Sequence, residues 1–262
     1  MDIGALDSLR IVLDPIGQAG VALALVLVMF SGALGLRVDD FAFLREKPLL
    51  FAGGVISQVV ILPLVTFLLI LALRPAASIA LGMIVVACCP GGAVSNLLSY
   101  LSRGNVAVSV ALTATSSLLA AILTPTSILF WSQAYEPTAT LLRTLDVNPL
   151  IFIGQTTLLL AVPLVLGMVL AARAPDVAAR IRQRTTVLGV SVLVGVIIYG
   201  IIYFFPVLFP ALPLLGGIVV LHNALAFATG ALAGRALSRL SATRRALTFE
   251  IGIQNSGLAL VI

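Results

Sequence analysis

Long apolar runs divided by short charged or Pro/Gly-rich breaks set the pattern of this chain. Crossing a bilayer core as a helix takes about 20 apolar residues. Eight runs approach or exceed that length: roughly 15 to 36, 48 to 73, 76 to 102, 104 to 131, 148 to 171, 185 to 205, 210 to 234 and 246 to the end. The two-residue alternation of a lipid-facing β-barrel is absent, which leaves a helical bundle as the spanning solution. The pattern predicts an all-α integral membrane protein.

Two of the eight spans are interrupted. "ASIALGMIVVACCPGGAVSNLLSYLS", Ala77 to Ser102, has 26 residues, about 39 Å of helix against a core of about 30 Å. Pro90-Gly91-Gly92 breaks it near the middle, because proline lacks the amide donor and paired glycines permit an unwound chain. Ser95 and Asn96 follow at once. The eighth span carries "EIGIQNSG", with Gly252 and Gly257 around a polar run, and predicts a second break. Spans three and eight are five apart, so they cross the membrane in opposite directions. The halves 1–131 and 132–262 then form an inverted repeat. Secondary transporters built this way hold their ligands at the midplane, where broken helices meet.

Composition agrees. The 262 residues are 61% hydrophobic and 10% charged, with mean hydropathy +1.20, far from the roughly 25% charge of soluble domains. The start, "MDIGALDSLRIVLD", lacks the basic opening of a cleaved secretory signal. The net charge of +5 reports topology and not a nucleic-acid partner. Alternate loops place Arg37, Arg45, Lys47, Arg103, Arg173, Arg180, Arg182, Arg184, Arg235, Arg239, Arg244 and Arg245 on one side. Arg10, Arg74 and Arg143 fall on the other. By the positive-inside rule the first side is cytoplasmic, the N-terminus lies outside, and the chain is a multi-pass protein of the plasma (inner) membrane. These arginines read as orienting anchors with no part in substrate binding.

Nine of the ten acidic residues lie in tails, loops or helix ends; Glu250 alone lies inside a span. A charge at a helix centre costs about 2.5 to 3.5 kcal/mol on insertion scales, so it requires a partner, a cation or a route out to the interface. Ser109 and Thr113, four apart in the fourth span, share one helix face, though hydroxyls also bond back to their own helix. Gln58, in the second span, suits interhelical glue or a ligand role. His222, the only histidine, suits packing or proton relay. Cys88 and Cys89 read as small core residues. A proton-coupled carrier or exporter working through Glu250, with His222, is the alternative to ion symport. An enzyme with Ser95, Ser109 or Cys89 as nucleophile lacks a nearby base, and none is expected.

"CCPGGAVSNLLSYLSRGNVAVSVALT" and "ALTFEIGIQNSGLA", with "LHN" between them, resemble the bile acid:sodium symporter family over most of the chain. The resemblance implies sodium-coupled symport of an organic anion, bile-acid-like or a small carboxylate, by alternating access. It implies two broken helices that cross. It also implies a core domain from spans near 48–131 and 210–262, and a panel domain from spans near 15–36 and 148–205. Carried over by position, one sodium site takes Ser95, Asn96, Ser109, Thr113 and Glu250. A second takes Gln58, Gln254, Glu250 and the carbonyls of Ile251 and Ile253. Two sodium ions are therefore expected, with the anion near Ala93, Asn255 and Ser256. The partners expected are that anion and the lipid bilayer, with no nucleic acid, and the chain is expected to act as a monomer. It stops at Ile262, twelve residues after Glu250, and a further helix lining the substrate cavity is expected to follow.

Overall fold

The structure is a computed structural model and describes residues 15–35 and 46–259. The N-terminal tail, the loop with Arg37, Asp39, Asp40 and Arg45, and the last three residues lie outside the described residues. Regular structure among the described residues is helical. The helices are α1 (Pro15–Ala33), α2 (Pro48–Leu73), α3 (Ala77–Cys88), α4 (Ala93–Leu101), α5 (Val106–Ala134), α6 (Glu136–Thr144) and α7 (Pro149–Arg173). A helical stretch Pro175–Leu237 follows, with Pro206, Pro210 and Pro213 inside it; it holds two spans, α8 (Pro175–Pro206) and α9 (Phe209–Leu237). α10 (Ser241–Gly252) and α11 (Ser256–Ala259) complete the fold. Helices α2, α5, α7, α8 and α9 are each long and apolar enough to cross a membrane, while α3 and residues Gly17–Ala33 of α1 are shorter apolar helices. The protein is an all-α, multi-pass membrane protein.

Sequence chemistry sets the ends. Pro48, Pro149 and Pro175 open their helices, where a missing N–H costs no bond. Asn105 and Asn148 act as N-caps: Asn105 Oδ1 accepts from Val108 N at 3.2 Å, and Asn148 Oδ1 from Leu150 N at 3.0 Å. Arg74 closes α2 with φ 47°, its N–H donating to Ile70 O at 2.8 Å. Three features differ from the expected spans. α5 continues through Pro125 to Ala134 and α6 follows it, so the division at 131/132 falls inside a helix. α8 begins ahead of the apolar run and carries Arg180, Arg182 and Arg184 within it. α2 contains a π-helical segment, Ser57–Ile61, which no composition signal announced.

The helices group around two packing centres. Leu50, Phe51 and Leu62 of α2 pack with Leu112 of α5 and with Leu247 and Ile251 of α10. α9 joins them through a close crossing on α10. A Cβ on Gly230 would stand 2.7 Å from Thr248 O, and one on Gly234 3.0 Å from Arg244 O. Glycines four apart thus let two helices meet at backbone distance, the usual way to associate helices in lipid. Elsewhere α1 lies against α7 and α8: a Cβ on Gly189 would stand 3.0 Å from Leu27 Cβ. Leu25 and Met29 of α1, Leu160 of α7, Ala121 of α5, Cys89 and Leu258 form the contact between the two groups.

Candidate functional site

Both expected breaks are present, and they meet. α3 ends at Cys88 and α4 starts at Ala93; α10 ends at Gly252 and α11 starts at Ser256. Between them Gly91 and Gln254 form an isolated antiparallel bridge, and Asn255 N donates to Pro90 O at 2.8 Å. Each unwound segment satisfies part of the other's backbone, as non-helical chain at membrane depth requires.

Glu250 lies on the last turns of α10, fully buried at 0% exposure, and does not reach out to the interface. Its carboxylate accepts hydrogen bonds from three hydroxyls on α4 and α5. Oε2 receives Ser95 Oγ at 2.7 Å and Ser109 Oγ at 2.8 Å, and Oε1 receives Thr113 Oγ1 at 2.5 Å. Gly91 makes this possible, because a Cβ there would overlap Glu250 Oε1. Among the described residues no arginine or lysine pairs with this carboxylate. The ion pair among them is the exposed Arg143–Glu136 contact at 3.6 Å.

Around the carboxylate, oxygens outnumber the protons they can share. Ser95 Oγ, with one hydrogen, lies 2.5 Å from Gly92 O and 2.7 Å from Glu250 Oε2, both acceptors. Thr113 Oγ1 likewise faces Asn96 Oδ1 at 3.2 Å as well as Glu250 Oε1. Turning the Asn96 amide relieves the second clash; a proton on Glu250 or a cation in the cage relieves the first. Ser99 Oγ donates to Ser109 Oγ at 3.1 Å and adds a buried hydroxyl behind the cage.

A second oxygen group lies beside the first, next to Gly91. The π-helical segment of α2 carries Gln58, 2% exposed, inward. Its Nε2 donates to Glu250 O at 3.2 Å and to Gln254 Oε1 at 3.4 Å, while its Oε1 is buried with no hydrogen-bond partner. Gln254 Nε2 donates to Ile251 O at 2.9 Å, and Ile253 is the residue at which the chain leaves the helix. The site thus draws Gln58, Ser95, Asn96, Ser109, Thr113, Glu250 and Gln254 from five segments into one cluster. Asn255 also caps α11, its Oδ1 accepting from Leu258 N at 3.1 Å. The side chains of Ala93 and Ser256 lie outside the described ones. His222 does not join the cluster; its Nε2 is 2.9 Å from Thr66 Oγ1 on α2.

Beside the crossover lies a cavity of about 260 Å³. Asn96, Thr113, Ser117 and Asn255 form one wall, and Val28, Met29 and Leu164 contribute to the other. Arg182 lines it as well. Three further contributors escaped sequence reading: Ser99, the π-helical turn that aims Gln58, and Gly91 as the seat of the carboxylate. Only Gly91 had a signal, its place inside Pro90-Gly91-Gly92.

Comparison with known proteins places this geometry in context. The "uncharacterized sodium-dependent transporter YocS" of Bacillus subtilis is 33% identical over 91% of this chain and 71% of its own length. The human ileal sodium/bile acid cotransporter is 29% identical over 92% of this chain and 68% of its own. A rice chloroplastic protein, described as a probable sodium/metabolite cotransporter, is 29% identical over 90% of this chain. This chain spans about half of that protein's length, 54%. Residues 22–205 match the sequence pattern of the Sodium Bile acid symporter family. With well over half of its length inside that pattern, the chain belongs to the Sodium Bile acid symporter family, whose members are transporters and not enzymes.

Proposed function

We propose that this protein is a sodium-driven symporter of an organic anion. The observation that carries the reading is the surplus of acceptors around a buried carboxylate that has no cationic side chain among the described residues. Ser95 Oγ alone has two acceptors within 2.7 Å and one proton to give. A hard monovalent cation resolves that imbalance, since it prefers oxygen ligands and replaces the missing protons. One sodium ion is assigned to Ser95, Asn96, Ser109, Thr113 and Glu250. A second is assigned to Gln58, Gln254, Glu250 and the carbonyls of Ile251 and Ile253, and the unpartnered Gln58 Oε1 supports it. One carboxylate shared by two cations offsets much of their repulsion.

The anion belongs in the cavity at the crossover, near Ala93, Asn255 and Ser256. Sodium would order the broken helices of the core (spans near 48–131 and 210–262) so that the anion is held against the panel (spans near 15–36 and 148–205). Relative movement of core and panel would then expose the site alternately to the two sides. The arginine-rich loops are assigned to the cytoplasm and the N-terminus to the outside of a plasma (inner) membrane. The reading is tested by thermal-shift screening of small organic anions in sodium and again in potassium, followed by uptake into proteoliposomes. Stabilisation and uptake that require sodium, and disappear in Glu250→Ala, are expected. Full uptake in potassium alone would sink sodium coupling.

A further inference from the structure

The cytoplasmic end of α8 carries three arginines at alternate positions, and they face different ways. Arg184 borders an outer hollow with Gln183, Val187, Leu188 and Ser191. Arg182 lines the crossover cavity. Residues two apart on a helix point to opposite sides, so one of the pair can orient the helix in the membrane while the other faces the transport site.

Arg182 differs in its seat and in its company. Its guanidinium lies directly on Gly35, at the end of α1, where an added Cβ would overlap Cζ. Any larger residue at 35 would displace the group. Among the described residues lining the cavity it is the one that carries a charge; the opposite wall offers amides and hydroxyls, and α1 and α7 offer apolar side chains. Its guanidinium has no carboxylate or hydrogen-bond partner among the described residues. An exposed cation with no counter-charge among the described residues, bordering a cavity with apolar walls, attracts anions there. Its planar fork fits two oxygens of one carboxylate or sulfonate.

We infer that Arg182 is the charge that draws and holds the head group of the transported anion, from the α8 wall opposite the crossover. The assignment rests on the reading that this cavity takes an organic anion, and it adds the residue that sets the preference for negative charge. The sodium cage is on α4, α5 and α10 and the arginine is on α8, so the anion would bridge the two helix groups.

The test reads the field at the cavity without needing the natural substrate. Ser117, on the α5 wall, is replaced by cysteine in the full chain, with the buried Cys88 and Cys89 retained and the unsubstituted protein as background. Modification rates are measured with an anionic reagent, sulfonatoethyl methanethiosulfonate, and a cationic one, trimethylammonioethyl methanethiosulfonate. Adding Arg182→Gln is expected to lower the anion-to-cation rate ratio about tenfold, as loss of a unit charge close by requires. Arg182→Lys should keep most of the ratio, and Arg184→Gln should leave it unchanged. The assignment is overturned if Arg182→Gln leaves the ratio within about twofold, if Arg184→Gln shifts it equally, or if neither reagent reaches the thiol introduced by Ser117→Cys. Sodium-dependent stability is measured on the same samples. A normal charge effect without sodium stabilisation would sink the symport reading alone, and the converse would sink this one alone.

Discussion

Glu250 accepts hydrogen bonds from three hydroxyls and pairs with no basic side chain among the described residues, so an ionised Glu250 needs a counter-charge from outside these residues. Glu250→Gln keeps the shape and removes the charge. If the cage holds sodium, the apparent sodium affinity in a thermal-shift titration should fall by about a hundredfold, roughly 2.7 kcal/mol. A glutamine variant with parental sodium affinity would remove the carboxylate from the ion site. Gly91→Ala tests the same atoms from the other side, because the added methyl would occupy the place of Glu250 Oε1. It should abolish sodium-dependent uptake and cost about 1–3 kcal/mol of stability, the usual range for an overpacked interior. At this scale the sequence was readable where a residue was out of place. Glu250 and Gln58 declared themselves as polar side chains inside apolar runs. Arg182 did not, since one more arginine in a basic helix end carries no sign of which way it faces.

The elements were readable for a different reason: backbone hydrogen bonding in lipid leaves few choices, so apolar length and helix breakers determine most of the architecture. Both breaks could be located from Pro90-Gly91-Gly92 and from Gly252 to Gly257. The π-helical segment Ser57–Ile61 could not, because one extra residue in a turn leaves composition untouched. Nor could the crossing of α9 on α10, whose glycines look like any others in a membrane helix. That crossing holds α10, and hence Glu250, against its neighbours. Gly230→Leu places a side chain where Thr248 O already stands 2.7 Å from the Cβ position. The hairpin must open, and both folding stability and sodium affinity should drop, the former by about 1–3 kcal/mol. Gly200→Leu on α8 meets nothing within 4 Å and serves as the control. Equal melting temperatures and equal sodium titrations for the two variants would show that the close crossing does not support the site.

For the molecule as a whole, the proposed symport requires that ion and anion stabilise one another across the cavity between two helix groups. Sodium that binds the folded protein and not the unfolded chain raises stability by mass action, about 2.7 kcal/mol per site at a hundred times the dissociation constant. Melting temperature should therefore climb with sodium at constant ionic strength, potassium making up the difference. Thermodynamic linkage then fixes a quantity that a merely sodium-stabilised protein would not show. Whatever factor saturating sodium contributes to anion affinity, saturating anion must contribute to sodium affinity. Titrating each ligand at low and saturating levels of the other measures both factors independently. They should agree, and a typical coupling of about 1–3 kcal/mol corresponds to roughly 5- to 150-fold. Arg182→Gln should weaken the anion while leaving sodium binding in the absence of anion near its parental value, because the guanidinium lies on α8 and the cage on α4, α5 and α10. Equal loss of both affinities would mean that the arginine shapes the whole site and not the anion's part of it. A coupling factor of one in the parent protein would leave sodium as a structural ion and remove the basis for symport.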